Sequence, residues 1–128
     1  MFSAKLGYDS TNVYTPSGVV ATGGYMFTTN ISGITYQVHL FDSSSTFDVT
    51  TGGKIDFVIV GAGGGGGAGN VSSSTSAAGG GGGGGQASVH YNINISTGSY
   101  GITIGNGGAG GIGASPGTGG NGNSTSAF

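Results

Sequence analysis

Long glycine tracts dominate the second half of this chain. They span residues 61–69, 79–85 and 105–123, and 26 of the chain's 33 glycines follow residue 60. Ordering a glycine in a regular element costs about 0.5–1 kcal/mol more than ordering an alanine. A chain of 128 residues has only a small core to offset that cost. The tracts are therefore either flexible linkers or closely packed segments in which only glycine fits.

The position of the tracts favours packing over a linker. Glycine begins where the apolar run 57–60 ends, and the second tract stops where the apolar alternation of 86–95 begins. We expect an extended conformation similar to polyproline II, with three residues per turn and a rise of about 3.1 Å. Backbones without Cβ atoms approach closely and form N–H···O and weak Cα–H···O contacts. The residues expected to pack in this way are Gly63, Gly64, Gly65, Gly82 and Gly83.

Outside the tracts, the sequence predicts strands and no helix. Period-two alternation and enrichment in aromatic and β-branched residues are typical of strands. The predicted strands are 25–31, 34–41, 46–50, 54–60, 86–95 and 100–104, with 124–128 as a short closing strand. The alternation in 86–95 places Val89, Tyr91, Ile93 and Ile95 together on the core face. The predicted fold is all-β: a small antiparallel β-sandwich or sheet with packed glycine-rich, polyglycine II-like loops.

The charge pattern excludes several classes of partner. Only six residues are charged, two lysines and four aspartates, and the formal net charge is −2. Two cations cannot form the basic surface that phosphate binding needs, so we expect no nucleic-acid partner. No apolar run approaches the length that crosses a bilayer, so we expect no membrane insertion. The absence of cysteine excludes disulfides and thiolate metal sites.

A dinucleotide-binding pattern is present but lacks its structural context. Gly61, Gly63 and Gly66 follow an apolar strand with the spacing G-x-G-x-x-G. A pyrophosphate site needs a helix to begin there, whereas more glycine follows, and no acidic residue occurs after Asp56. We therefore expect no cofactor.

The candidate acid, base and metal-ligating residues lie on or beside predicted strands. They are His39, His90, Asp42, Asp48 and Asp56. Solvated strand faces and a core histidine explain this pattern better than a metal or catalytic site does. We therefore expect no metal and no enzymatic activity.

The polar stretch between the first two tracts is the candidate surface-binding loop. It carries hydroxyls and an amide but no charge, groups that hydrogen-bond sugars or ordered water; the residues are Asn70, Ser72, Ser73, Ser74 and Thr75. An ordinary surface turn is the alternative.

Three segments together resemble the glycine-rich domain of bacteriophage tail-fibre and related virion proteins. The first, 35–69, carries a Tyr-x-Val-His strand, a Phe-Asp-Ser turn, a TF-x-V strand and an apolar strand that runs into glycine. The second, 79–111, has the order tract, strand, polar turn, Y-x-I-x-I-G, tract. The third, 119–128, resembles the closing G-G-N-G-x-S-S-x-F element. The resemblance covers residues 24–128 as one glycine-rich β domain.

The resemblance implies a non-enzymatic virion component. It implies a component, often homotrimeric, that contacts other virion proteins and the host surface. The hydroxyls of the polar loop make a host surface glycan the candidate receptor. A chain of this length fits a short fibre, a fibre tip or a decoration protein. Residues 1–23 lie outside the resemblance and are expected to form an arm, either a virion docking segment or an ordinary extended terminus. The rival interpretation is an ice- or glycan-binding protein built on bundled glycine helices.

Overall fold

The computed structural model describes residues 1–9, 18–69, 71–72, 75–76, 78–112 and 117–128. Within these ranges every regular element is a β-strand and no helix occurs, as the sequence predicts. No described segment forms a helix long and apolar enough to cross a bilayer. The strands are β1 Phe2–Asp9, β2 Val20–Thr22, β3 Tyr25–Ile31, β4 Ile34–Phe41, β5 Ser45–Thr51, β6 Gly53–Val60, β7 Val71–Ser72, β8 Thr75–Ser76, β9 Ala87–Ile95, β10 Gly98–Thr103 and β11 Ser126–Ala127.

The chain divides into two compact units. The sheet unit consists of Met1–Ile59, Ser88–Ile104 and Ser126–Phe128. The glycine unit consists of Val60–Ala87 and Gly105–Thr125. The division follows composition, because the tracts lie in one unit and nearly all strand residues lie in the other.

The sheet unit is a small β-sandwich. One sheet has five strands in the order β3-β4-β1-β6-β9, and the other has four in the order β11-β10-β5-β2. Each strand pair with an assigned register is antiparallel. The β3–β4 hairpin closes through Ser32 and Gly33, whose φ angles of 53° and 84° give the twist that a two-residue hairpin favours. The Asn30 carboxamide oxygen accepts the Gly33 N–H at 3.1 Å.

The core lies between the two sheets. Phe47 from β5 is fully buried and meets the ring of Phe41 edge-on at 6.1 Å and that of His39 at 5.1 Å. Phe128 follows β11 and packs its ring edge-on against Phe47 and Phe57. The full buried cluster is Val19, Ala21, Phe41, Phe47, Val49, Ile55, Phe57, Ile95 and Ile102. Burial of this set supplies the apolar driving force of the unit.

The predicted face of β9 is wrong over half of its length. Ile95 is buried, but Val89, Tyr91 and Ile93 are exposed. Asn92 has φ 59°, a left-handed conformation that interrupts a regular strand. Before Asn92 the inward residue is His90, which stacks on Phe57 at 4.6 Å; after it, Ile95 is inward. One irregular residue thus changes which residues face the core.

The first strand lies within the segment expected to form an arm. β1 pairs with β4 over its whole length, from Phe2 opposite Phe41 to Asp9 opposite Ile34. It also pairs with β6 through residues 2–5. Residues 2–9 are therefore a central strand of the five-stranded sheet, and residues 10–17 lie outside the described part of the chain.

Candidate interaction surfaces

The glycine unit is a bundle built by main-chain hydrogen bonds. We define its four segments as the first (61–69), second (79–86), third (105–112) and fourth (117–123). The first and second run antiparallel and bond at every third residue with N···O distances of 2.8–2.9 Å. The pairs, N–H donor first, are Gly61–Gln86, Gly64–Gly83 and Gly67–Gly80.

The first segment also bonds on its two other sides. Gly65 and Ala68 donate to carbonyls of the fourth segment, three residues apart on each chain. Carbonyls of Gly63 and Gly66 accept from the third segment, again with a step of three; the donors are Gly108 and Gly111. The third and fourth segments bond through Gly120 to Ala109 at 2.7 Å and Asn123 to Asn106 at 2.8 Å. A step of three on every side is the repeat of a polyglycine II helix, which has three residues per turn.

Backbone proximity, rather than backbone conformation, requires glycine in the bundle. Among the described residues the positive-φ glycines are Gly23, Gly24, Gly33 and Gly98, and all four lie outside the tracts. A Cβ on Gly82 would overlap the carbonyl oxygen of Gly64, and one on Gly85 would overlap that of Gly61. The Cα hydrogens at these positions therefore point at carbonyl oxygens, as in weak Cα–H···O contacts.

The five glycines expected to pack differ in how closely their neighbours approach. Cβ atoms on Gly65 and Gly82 would overlap the carbonyl oxygens of Ala109 and Gly64. A Cβ on Gly63 would lie 3.1 Å from the Gly83 oxygen, and one on Gly64 would lie 3.4 Å from the Gly120 oxygen. Gly83 takes part through its carbonyl, but a Cβ there would meet nothing within 4 Å. The tracts pack along one another, an arrangement that the sequence left open.

The polar loop between the first two segments contains a short hairpin. β7 and β8 pair antiparallel, with Val71 opposite Ser76 and Ser72 opposite Thr75. The other three predicted binding residues, Asn70, Ser73 and Ser74, lie outside the described residues. The structure thus locates the backbone of Ser72 and Thr75 in a hairpin that leaves and re-enters the bundle.

An exposed apolar face on the five-stranded sheet was not predicted from the sequence. Tyr25 and Tyr91, on its two edge strands, are 69% and 71% exposed. Phe27 pairs with Val38 in register, and both line an open groove of about 360 Å³. The rest of its lining is mostly apolar, with polar groups from Ser3, Thr29 and Asp56 beside Ile31, Phe57, Val58, Val89 and Tyr91. The signal was present as the alternation of Tyr25, Phe27 and Ile31, but alternation does not tell which face the second sheet covers.

The two histidines have structural surroundings. His39 is fully buried, and its Nδ1 lies 2.8 Å from the Gly23 carbonyl oxygen, so Nδ1–H donates to that oxygen. The His90 Nε2 lies 2.8 Å from the Ser88 hydroxyl. Within the described residues, no group of three His, Asp, Glu or Cys side chains gathers as a metal site would require.

The aspartates make local hydrogen bonds. Asp48 accepts from the Ser99 hydroxyl across the β5–β10 pair, and Asp56 accepts the Asn92 N–H at 2.8 Å. Asp42 accepts from the neighbouring Ser43 hydroxyl at 3.2 Å. The three carboxylates thus accept hydrogen bonds at three separate places in the fold.

The dinucleotide-like pattern forms part of the bundle. The Gly61 N–H donates to Gln86, and the carbonyls of Gly63 and Gly66 accept from the third segment. No helix begins after β6, so the positive helix end that a pyrophosphate requires is missing at this position.

These features define an all-β protein that combines a β-sandwich with a polyglycine II-like bundle. Residues 40–128 match the family model described as a glycine-rich domain, and the chain belongs to that family. The match begins at the end of β4 and takes in all four bundle segments. No curated protein and no solved structure matches the chain.

Proposed function

We propose that this chain is a non-enzymatic structural protein of a bacteriophage virion, acting as a short fibre, a fibre tip or a decoration protein that contributes to host attachment. The observation that carries the proposal is the bundle, in which main chains bond at every third residue on all sides of the first segment. Such a unit is held by backbone contacts, so its loops are free to vary in sequence. A rigid bundle with loops of variable sequence suits a particle component that holds recognition loops in place.

The polar loop is the proposed host-contacting element. Its hydroxyls and the Asn70 carboxamide match the donors and acceptors of a sugar. No charged residue occurs after Asp56, so binding through this loop should depend little on salt. The proposed receptor is therefore a host surface glycan.

Self-association and docking to other virion proteins are the second part of the proposal. The exposed apolar face of the five-stranded sheet supports it, because contiguous apolar patches on soluble proteins mark interaction surfaces. We assign this face to contacts between copies of the chain, with the trimer taken from the family resemblance. Docking to a neighbouring virion protein is proposed without a separate arm, because residues 2–9 and 20–22 of the segment 1–23 are strands of the two sheets.

Antibody labelling of intact particles tests the virion assignment. An antibody raised against the purified chain should label particles at one location and reduce their adsorption to host cells. Particles that lack the chain would overturn the assignment.

Replacing Ser72, Ser73, Ser74 and Thr75 together by alanine should abolish cell binding of the purified protein, whereas Thr118→Ala, at an exposed hydroxyl on the fourth segment, should not. Equal binding by both variants would remove the loop from the proposal.

The bundle itself also favours a second candidate, an ice- or glycan-binding protein. The second segment carries no side chains at residues 79–85 and bonds at a step of three, and a regular surface of this kind is compatible with binding to an ordered lattice of water. The irregular spacing of Ser72–Ser76 does not provide such a face, so the bundle alone would have to do so. Thermal hysteresis in a solution of the purified chain would favour this candidate, and its absence would leave the virion proposal alone.

A further inference from the structure

The second glycine segment has outward positions at which a side chain would fit, so contacts within the single chain do not explain why glycine occurs there. A Cβ on Gly80, Gly81, Gly83 or Gly84 would meet nothing within 4 Å. All residues of this segment are exposed. Glycine is costly to order compared with alanine, so four outward positions without side chains need another explanation.

The other outer segments of the bundle show the contrast. On the third segment an exposed row with a step of three carries Asn106, Ala109 and Ile112. On the fourth segment the corresponding exposed residues are Thr118 and Asn121. Outward positions of the third and fourth segments therefore carry side chains, although exposed glycines also occur on the third segment at Gly107 and Gly110; residues 79–85 carry no side chain at all.

The second segment also has hydrogen-bonding capacity that the described residues leave unused. Its carbonyls at Gly80, Gly83 and Gln86 accept from the first segment. Among the described residues, no partner accepts from the N–H groups of residues 79–85, and none donates to the carbonyls of Gly81 and Gly84. An exposed row of main-chain donors and acceptors is a template for another chain, as at the edge of a β-sheet.

We propose that this surface, which we call the glycine face and define as Gly80, Gly81, Gly83 and Gly84, binds the same face of a second copy of this chain. A partner that pairs with exposed main-chain N–H and C=O groups must present its own main-chain groups every three residues. Residues 79–85 of a second copy do so. A two-fold axis across the segment places the two copies antiparallel, the orientation already seen between the first and second segments. The face carries no charge, so the two copies do not repel each other.

The glycine face makes a contact in addition to the trimer of the proposed function and does not depend on where the chain acts. A two-fold contact doubles whatever species the rest of the chain forms. The sedimentation mass of the wild type is therefore expected to be an even multiple of the chain mass.

Paired substitution tests the contact. The double variant Gly81→Val/Gly84→Val adds side chains where the single chain has open space, so each copy should fold as before while the mass measured by analytical ultracentrifugation falls by half. Ala109→Val on the third segment is the matched control and should leave the mass unchanged. An unchanged mass in a double variant with a wild-type unfolding temperature would overturn the proposal, as would a wild-type mass that is an odd multiple of the chain.

Hydrogen exchange of the wild type provides a readout that does not depend on the variant folding. The N–H groups of residues 79–85 should exchange more slowly as the protein is concentrated, because the second copy accepts their hydrogen bonds. The N–H groups of Asn106 and Ala109 are the internal reference and should show no such change. Equal exchange of 79–85 in dilute and concentrated samples would contradict the proposal.

Discussion

At the scale of single residues, glycine has two separate roles in this chain. Gly23 and Gly33 have φ of 118° and 84°, which L side chains rarely adopt. Tract glycines such as Gly65 have ordinary φ but touch neighbouring carbonyls. The second role predicts that the effect of a substitution depends on whether the new Cβ would face a neighbouring carbonyl or open space.

Gly65→Ala and Gly110→Ala should have opposite effects on stability. A Cβ at 65 overlaps the Ala109 carbonyl, and overpacking of this kind costs about 1–3 kcal/mol. A Cβ at 110 lies 3.8 Å from the Gly66 oxygen, an ordinary contact, and a compatible Gly→Ala change adds about 0.4–1 kcal/mol through the unfolded state. Urea unfolding of both variants measures the difference. Equal free energies of unfolding would show that the bundle is not packed in solution.

Sequence could predict that the tracts pack but not which glycines are indispensable. Sharp tract boundaries beside apolar strands indicated order. The contrast between Gly82 and Gly83, however, depends on which way each Cα faces and which carbonyl is opposite. That information comes from pairing between segments far apart in sequence, which no local pattern contains.

At the scale of elements, strands were predictable where alternation was regular. β3 to β6 and β10 match the predicted ranges closely, because aromatic and β-branched residues recur there with period two. β1 was missed although Phe2, Leu6 and Tyr8 recur there with period two; its central position depends on long-range pairing with β4 and β6, which the local pattern does not contain. β9 was assigned correctly as a strand but with the wrong core face.

Asn92 should be the residue that fixes the two faces of β9. Asn tolerates the left-handed conformation better than alanine does, and the penalty for alanine is about 1–2 kcal/mol. Asn92→Ala should therefore lower the free energy of unfolding by about 1 kcal/mol, and Asn92→Gly should restore it. Asn94→Ala, two residues along the same strand and exposed, is the control. Equal losses for Asn92→Ala and Asn94→Ala would refute a special role for the φ angle at position 92.

At the scale of the whole molecule, the two units are held by different forces. The sheet unit buries aromatic and aliphatic side chains, whereas main-chain hydrogen bonds dominate the glycine unit. Each unit also presents its own exposed surface, the apolar sheet face on one and the glycine face on the other. Because these surfaces lie on separate units, their contributions to assembly should be separable by mutation.

The apolar sheet face should form the trimer contact, which is separate from the two-fold contact formed by the glycine face. Phe27 and Tyr91 line the same groove and are 42% and 71% exposed, so aspartates at both positions should leave the core intact. Burying those charges against another copy is costly, because a buried unpaired carboxylate loses its hydration. The double variant Phe27→Asp/Tyr91→Asp should lose the trimer and keep the two-fold contact, giving a dimer by light scattering, while Thr103→Asp on an exposed position of β10 should change nothing. A double variant that unfolds like the wild type and keeps the wild-type mass would show that copies of the chain do not meet through this face.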